Sequence, residues 1–137
     1  MNDLTIPACF YRVSVKALIL DEQNRFLLVK EENGLWELPG GGLDFGESPH
    51  QGIARELMEE MGLEVTYISA HPLYFFPVIN PKNQHIVNAV YETRVHHLDF
   101  VPSTECLEIK FYSTEEVIQL KELMYPNVLE FVKHFNL

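Results

Sequence analysis

Apolar and polar positions along this chain repeat with two different periods, and the changes of period mark its elements. Residues Arg12 to Leu20 are β-rich, and Asp21-Glu22-Gln23-Asn24 is a polar turn. Arg25 to Lys30, carrying Phe26, Leu27, Leu28 and Val29, reads as a returning strand. Trp36-Glu37-Leu38-Pro39 looks like the end of another strand, and Gly40, Gly41, Gly42 and Gly46 predict a loop after it. The period then changes. Ile53, Leu57 and Met61 recur every four residues, with Ala54 and Met58 alongside, which is the stripe a helix buries. Ser48 is a good N-cap, Pro49 suits the first helical position, and Gln51 completes a capping box. Gly62 can close the helix in the left-handed conformation. The spacing predicts a helix from about Pro49 to Met61.

Downstream, Val65 to Ala70 and Gln84 to Val95 read as strands, the second rich in β-branched and aromatic residues. Pro72, Pro77 and Pro81 predict a long irregular loop between them. Its run Leu73-Tyr74-Phe75-Phe76 is too apolar to face only solvent, and reads as a pocket wall, a dimer contact or a strand end. Ile109 to Tyr112 is a short strand, Thr114 caps a helix from about Glu115 to Glu122, and Pro126 opens a last helix with Val128, Leu129, Phe131, Val132 and Phe135 apolar. This order predicts an α/β fold, a mixed sheet covered by helices.

Composition narrows the function. At 137 residues and 47% hydrophobic, one domain over residues 1–137 is expected. A net charge of −10 argues against a generic nucleic-acid polymer as partner. It leaves room for a small phosphorylated substrate, because bound metal dominates the local charge. No apolar run has the length of a membrane span, and the start lacks a secretory pattern, so a cytoplasmic protein without membrane contact is expected. Cys9 and Cys106 are far apart and read as reduced thiols.

The predicted helix also carries the chemistry. Glu56, Glu59 and Glu60 are three and four residues apart, so they share one side of it. Each like-charge pair at such spacing costs about 0.2–0.5 kcal/mol. A divalent cation would offset that cost, and magnesium takes oxygen ligands. The plain alternative is a solvated acidic face. The glycine-rich entry, Glu47 and Arg55 weigh against it.

With those residues in view, the segment Gly41 to Leu63 resembles the Nudix box. Gly41 is followed by five residues, Glu47, seven residues, and then Arg55-Glu56-Leu57-Met58-Glu59-Glu60-Met61-Gly62-Leu63. The approach Leu35-Trp36-Glu37-Leu38-Pro39-Gly40-Gly41 is similar to that family's too. The resemblance implies an α/β/α sandwich and a hydrolase that cuts a nucleoside diphosphate linked to a group X with magnesium or manganese. It implies Glu56, Glu59, Glu60 and the Gly40 carbonyl as metal ligands. Glu47 would support the site by hydrogen bonds or a further metal contact, and Arg55 would orient a carboxylate. Glu56 is the first candidate for general base. Glu105, in a segment similar to the family's acidic loop, is the second. Homodimers are common in the family, so one is a possible assembly.

The substrate is less legible. A nucleoside triphosphate or a modified form of one is the expectation; nucleotide sugars, ADP-ribose, dinucleoside polyphosphates and a non-catalytic nucleotide-binding module stay open. Phe10, Tyr11, Phe45, Tyr74, Phe75 and Phe76 could stack on a base, with Phe45 and Phe76 preferred. Arg12, Lys16, Lys30, Lys82 and Arg94 could meet phosphates, with Arg12 preferred; an ordinary surface position is the default for each.

Overall fold

β1 (Arg12–Leu18) alternates two destinations, and this alternation builds the layers. In the computed structural model, which describes residues 7–135, Val15, Ala17 and Ile19 point into one core and Leu18 into another. β2 (Phe26–Lys30) does the same, sending Leu27 and Val29 to the first core and Phe26 and Leu28 to the second. Side chains on a strand face opposite ways in turn, so two apolar sets on one strand need cover on both faces. α1 (Pro49–Met61) covers the first core, with Ile53, Leu57 and Met61 fully buried. α2 (Thr114–Gln119) and α3 (Pro126–His134) cover the second, through Val117, Val128 and Phe131. Each such side chain contributes about 1.5–3 kcal/mol on leaving water. The outcome is the expected α/β/α sandwich.

The remaining strands are β3 (Trp36–Glu37), β4 (Gly40–Gly42), β5 (Val65–Ile68), β6 (Tyr74–Ile79), β7 (His85–Val95) and β8 (Glu108–Tyr112). They form two sheets. One has the order β4-β1-β7-β5, with β6 also on β7; the other has the order β3-β2-β8. The first is mixed, since β1 and β7 run parallel and its other pairs antiparallel.

Four local expectations are corrected. Gly40–Gly42 is a strand rather than a loop, paired with Ser14–Lys16 of β1. Tyr74–Ile79 is a strand in the predicted proline loop, paired with His85–Val90 of β7. Pro77 fits there because β6 lies at an edge. Asn80 N–H donates to Gln84 O, and by alternation the Pro77 nitrogen faces away from β7, where no ladder bond is lost. Ser113, not Thr114, caps α2, in a capping box with Glu116, and α2 ends at Gln119 before a 3₁₀ turn over Lys121–Leu123. On α1, Ala54 and Met58 are exposed, and Glu60 turns inward beside Met61 instead.

Candidate active site

α1 is fixed at both ends by its own sequence. The Ser48 hydroxyl accepts from Gln51 N–H at 3.2 Å and Gln51 Oε1 accepts from Ser48 N–H at 2.9 Å. Gly62 closes the helix at φ 67°. This fixes the rotation of the helix, and with it where Glu56 and Glu60 point.

Both carboxylates reach the glycine strand β4. Glu60 Oε1 accepts from Gly40 N–H at 2.9 Å. A Cβ on Gly41 would lie 2.7 Å from the Glu56 carboxylate and displace it, so glycine there leaves the carboxylate in place. The loop before β8 supplies the third group. Ser103 Oγ donates to Glu60 O at 2.8 Å, and Val101 N–H donates to Met61 O at 2.8 Å, which ties the loop to the end of α1. Glu105 thereby comes to Glu56 and Glu60, with one carboxylate oxygen from each within 4.8 Å of the others.

Arg55 is the hub of a second layer. Its guanidinium grips Glu47 with both oxygens, Nε to Oε2 at 2.9 Å and Nη2 to Oε1 at 2.6 Å. It also donates to Glu56 Oε1 at 2.9 Å, to Glu59 Oε2 at 3.2 Å and to Gly42 O at 3.1 Å. These bonds hold the Glu47 carboxyl down at about 2 and raise the Arg55 guanidinium above its usual value. Glu56 is raised instead, because burial outweighs the nearby guanidinium. Glu60 is pushed up to about 8, by burial first, against the opposing charge of Lys16 and the Gly40 bond.

This set fits a hard divalent cation. Its donors are carboxylate oxygens, the kind magnesium and manganese take. Burial makes Glu60 costly to ionise alone, and a cation would offset that cost. Among the expected ligands, Glu56 and Glu60 belong to the convergent group. Glu59 is exposed and pairs with Arg55 outside it. Glu47 is held by Arg55 and Asp44 N–H, a supporting position. The Gly40 carbonyl accepts from Lys16 Nζ at 3.4 Å.

The NUDIX domain model matches residues 10–135. The chain belongs to the NUDIX domain family. Relatives agree in part of their length. A MutT-like protein of Streptomyces ambofaciens is 45% identical over 56 residues, covering 40% of this chain and 36% of that protein. A CTP pyrophosphohydrolase of Escherichia coli strain K12 is 36% identical over 67 residues, covering 43% of this chain and 50% of that protein. The matches thus span half or less of these two relatives. The crystal structure of a MutT protein from Methanosarcina mazei Go1 superposes with a TM-score of 0.68 at 29% identity, covering 90% of this chain and 91% of that one.

Around the NUDIX helix, the other predicted residues divide. A cavity of about 350 Å³ is lined among others by Arg12, Lys16, Glu37, Tyr125 and Asn127, and Lys16 links it to Gly40 and Glu60. Arg12 lies across Gly42 and lines it. Phe45 stands wholly exposed on the loop between β4 and α1. Phe76 corrects its expectation: it is 2% exposed, belongs to the second core and stacks on His134, so it offers no face to a substrate. Lys16 is a correction of another kind, buried rather than at the surface. Glu37 and Asn127 were not anticipated. Asn127 Nδ2 donates to Glu37 Oε2 at 2.7 Å, and Asn88 Nδ2 donates to Asn127 Oδ1 at 2.9 Å. The one signal in the sequence was a charge, Lys16, inside the apolar run of β1. Cys9 and Cys106 are both free thiols.

Proposed function

We propose that this NUDIX chain hydrolyses a phosphoanhydride of a nucleoside diphosphate linked to a group X, with a nucleoside triphosphate or a modified form of one as the favoured substrate. The observation that carries this is the convergence of Glu56, Glu60 and Glu105, with one oxygen of each within 4.8 Å of the others. Magnesium or manganese, held by Glu56, Glu60 and Glu105, would polarise a phosphorus–oxygen bond and lower the pKa of bound water. The chain supplies the rest. Arg55 fixes the direction of Glu56 by a bond to Oε1, and Oε2 would serve the cation or take the proton of the attacking water. Burial makes Glu56 a stronger base than a free glutamate, and a base works best when its pKa approaches the working pH. Glu105, exposed and on a loop, is the second choice. The nucleoside lies in the cavity. A CTP pyrophosphohydrolase among the relatives supports a triphosphate. The protein acts in the cytoplasm, on a small nucleotide, as a monomer or homodimer whose state sedimentation would settle.

The test is release of phosphate or pyrophosphate from a panel of triphosphates, nucleotide sugars, ADP-ribose and dinucleoside polyphosphates, with magnesium, manganese or EDTA. Metal-dependent turnover of a triphosphate supports the reading. Turnover of a nucleotide sugar alone refutes the triphosphate. Silence from folded protein refutes the hydrolase and favours a nucleotide-binding module.

A further inference from the structure

The carboxylate group and the cavity are linked through one side chain, Lys16. Lys16 lies on β1 in register with Gly40, the residue whose N–H holds Glu60. Its side chain leaves the sheet on the cavity side, as does that of Ser14 two residues earlier. It is only 4% exposed. Among the described residues its ammonium is held by two carbonyl hydrogen bonds and an ion pair with Glu37, all of them long, and its charge is felt by Glu60. Leu38 O lies at 3.3 Å, Gly40 O at 3.4 Å and Glu37 Oε2 at 3.7 Å. Charge-assisted bonds are normally about 2.7–2.9 Å.

Nor is Lys16 needed to hold Glu37. One Glu37 oxygen takes Leu38 N–H at 2.9 Å and the other takes Asn127 Nδ2 at 2.7 Å, both shorter than the contact to Lys16. The next residue on the same face of β1, Leu18, is core. A buried charge is costly unless it is well paired. The long contacts leave Lys16 able to gain from a shorter charge-assisted bond to an anion entering from outside. The opening available is the cavity, and Arg12 and Lys82 add positive charge to its wall within a protein of net charge −10.

We propose that the Lys16 ammonium is a phosphate-binding group, taking a non-bridging oxygen of the substrate phosphoryl that lies between the cavity and the carboxylates. This rests on the hydrolase reading above and states how the substrate of that site is held. Asn127 and Asn88 act as positioning residues behind it, because Asn127 holds Glu37 and Asn88 holds Asn127.

The probe is methylenediphosphonate, a pyrophosphate analogue whose bridge is not hydrolysed, titrated calorimetrically into the chain in magnesium. Lys16→Met keeps most of the side-chain volume and removes the charge. Its affinity is expected to fall about tenfold or more, the range of a hydrogen bond to a charged group. Equal affinity in a Lys16→Met protein that melts cooperatively overturns the proposal, and so does failure of the wild-type protein to bind the probe at millimolar concentration. A role confined to pairing with Glu37 would lower the melting temperature and leave affinity unchanged. If Lys16→Met does not fold, wild-type protein with ¹⁵N-labelled lysine side chains gives the answer. The Lys16 ammonium signal is expected to shift when the probe is added, and an unmoved signal overturns the proposal. Neither readout needs turnover. A chain that binds the probe through Lys16 and hydrolyses no nucleotide refutes the hydrolase reading and leaves this one standing.

Discussion

Glu60 concentrates the tension of the site in one residue. Its carboxyl is pushed up to about 8 from an ordinary 4.5, mainly by burial. The folded chain thus holds that proton more tightly than the unfolded chain does. Stability from this group is fully present below about pH 4.5 and is lost as pH rises through about 8. Metal-free protein is therefore expected to melt at falling temperature from pH 5 to 8, read by scanning fluorimetry. Glu60→Gln should flatten that slope, and saturating magnesium should remove it, since the metal takes the proton's place. An identical slope in wild type and variant would place the titration elsewhere. Gly41 makes the complementary case. A methyl group there meets the Glu56 carboxylate at 2.7 Å. Gly41→Ala should lower kcat/KM by about 100-fold, the order of cost of misplacing a reacting group by an ångström. The melting temperature should change little, because β4 pairs through its backbone.

Among elements, α1 was legible and β6 was not, for one physical reason. The cap, the buried stripe and the closing glycine of α1 are all local to residues 48–62, so the sequence contains everything that defines it. Ser48→Ala should cost about 1 kcal/mol through the lost cap. That corresponds to a melting temperature lower by about 3–5 °C. β6 owes its existence to pairing with β7, a partner that follows it by a turn, and Pro77 locally argues against a strand. What decides is whether the proline nitrogen faces the ladder or the open edge, and only the register tells. The same holds for β4, whose glycines form a strand because β1 lies beside them. The inward turn of Glu60 in place of Met58 depends likewise on Gly40, a contact across 20 residues. Glu56 and Arg55 could be read from the motif. The cavity residues Glu37 and Asn127, and Asn88 buried behind them, could not, since three separate segments bring them together. The edge reading makes its own prediction. Phe75 and Ile79 are exposed on β6, and Pro77 leaves the open edge between them without a donor. Pro77→Val should increase self-association, measured by sedimentation velocity, because an apolar edge strand with its donors restored is a template for pairing.

For the whole molecule, the candidate site joins parts that the chain keeps apart. Glu56 and Glu60 come from the helix that covers the first core, and Glu105 from the loop leading into β8 of the other sheet. Without a cation, the loop is held to α1 by the bonds of Ser103 and Val101, while the charge of Glu105 repels those of Glu56 and Glu60 across the same gap as they ionise. A cation shared by all three would turn that repulsion into a cross-link between the helix and the second sheet. Its effect on stability follows from mass action. Free metal at a hundred times its Kd adds about 2.7 kcal/mol to the folded state. Magnesium or manganese should therefore raise the melting temperature and EDTA should reverse it. The decisive comparison is Glu105→Gln. If the cation bridges helix and loop, this variant should keep the metal-free melting temperature or gain slightly, since one repelling charge is gone. It should also lose a substantial part of the metal-induced rise. Hydrogen exchange read over residues 98–107 should slow on adding metal in the wild type and not in the variant. A full metal response in Glu105→Gln would confine the cation to α1 and make the loop a bystander, and Glu105 would then lose its standing as a candidate base.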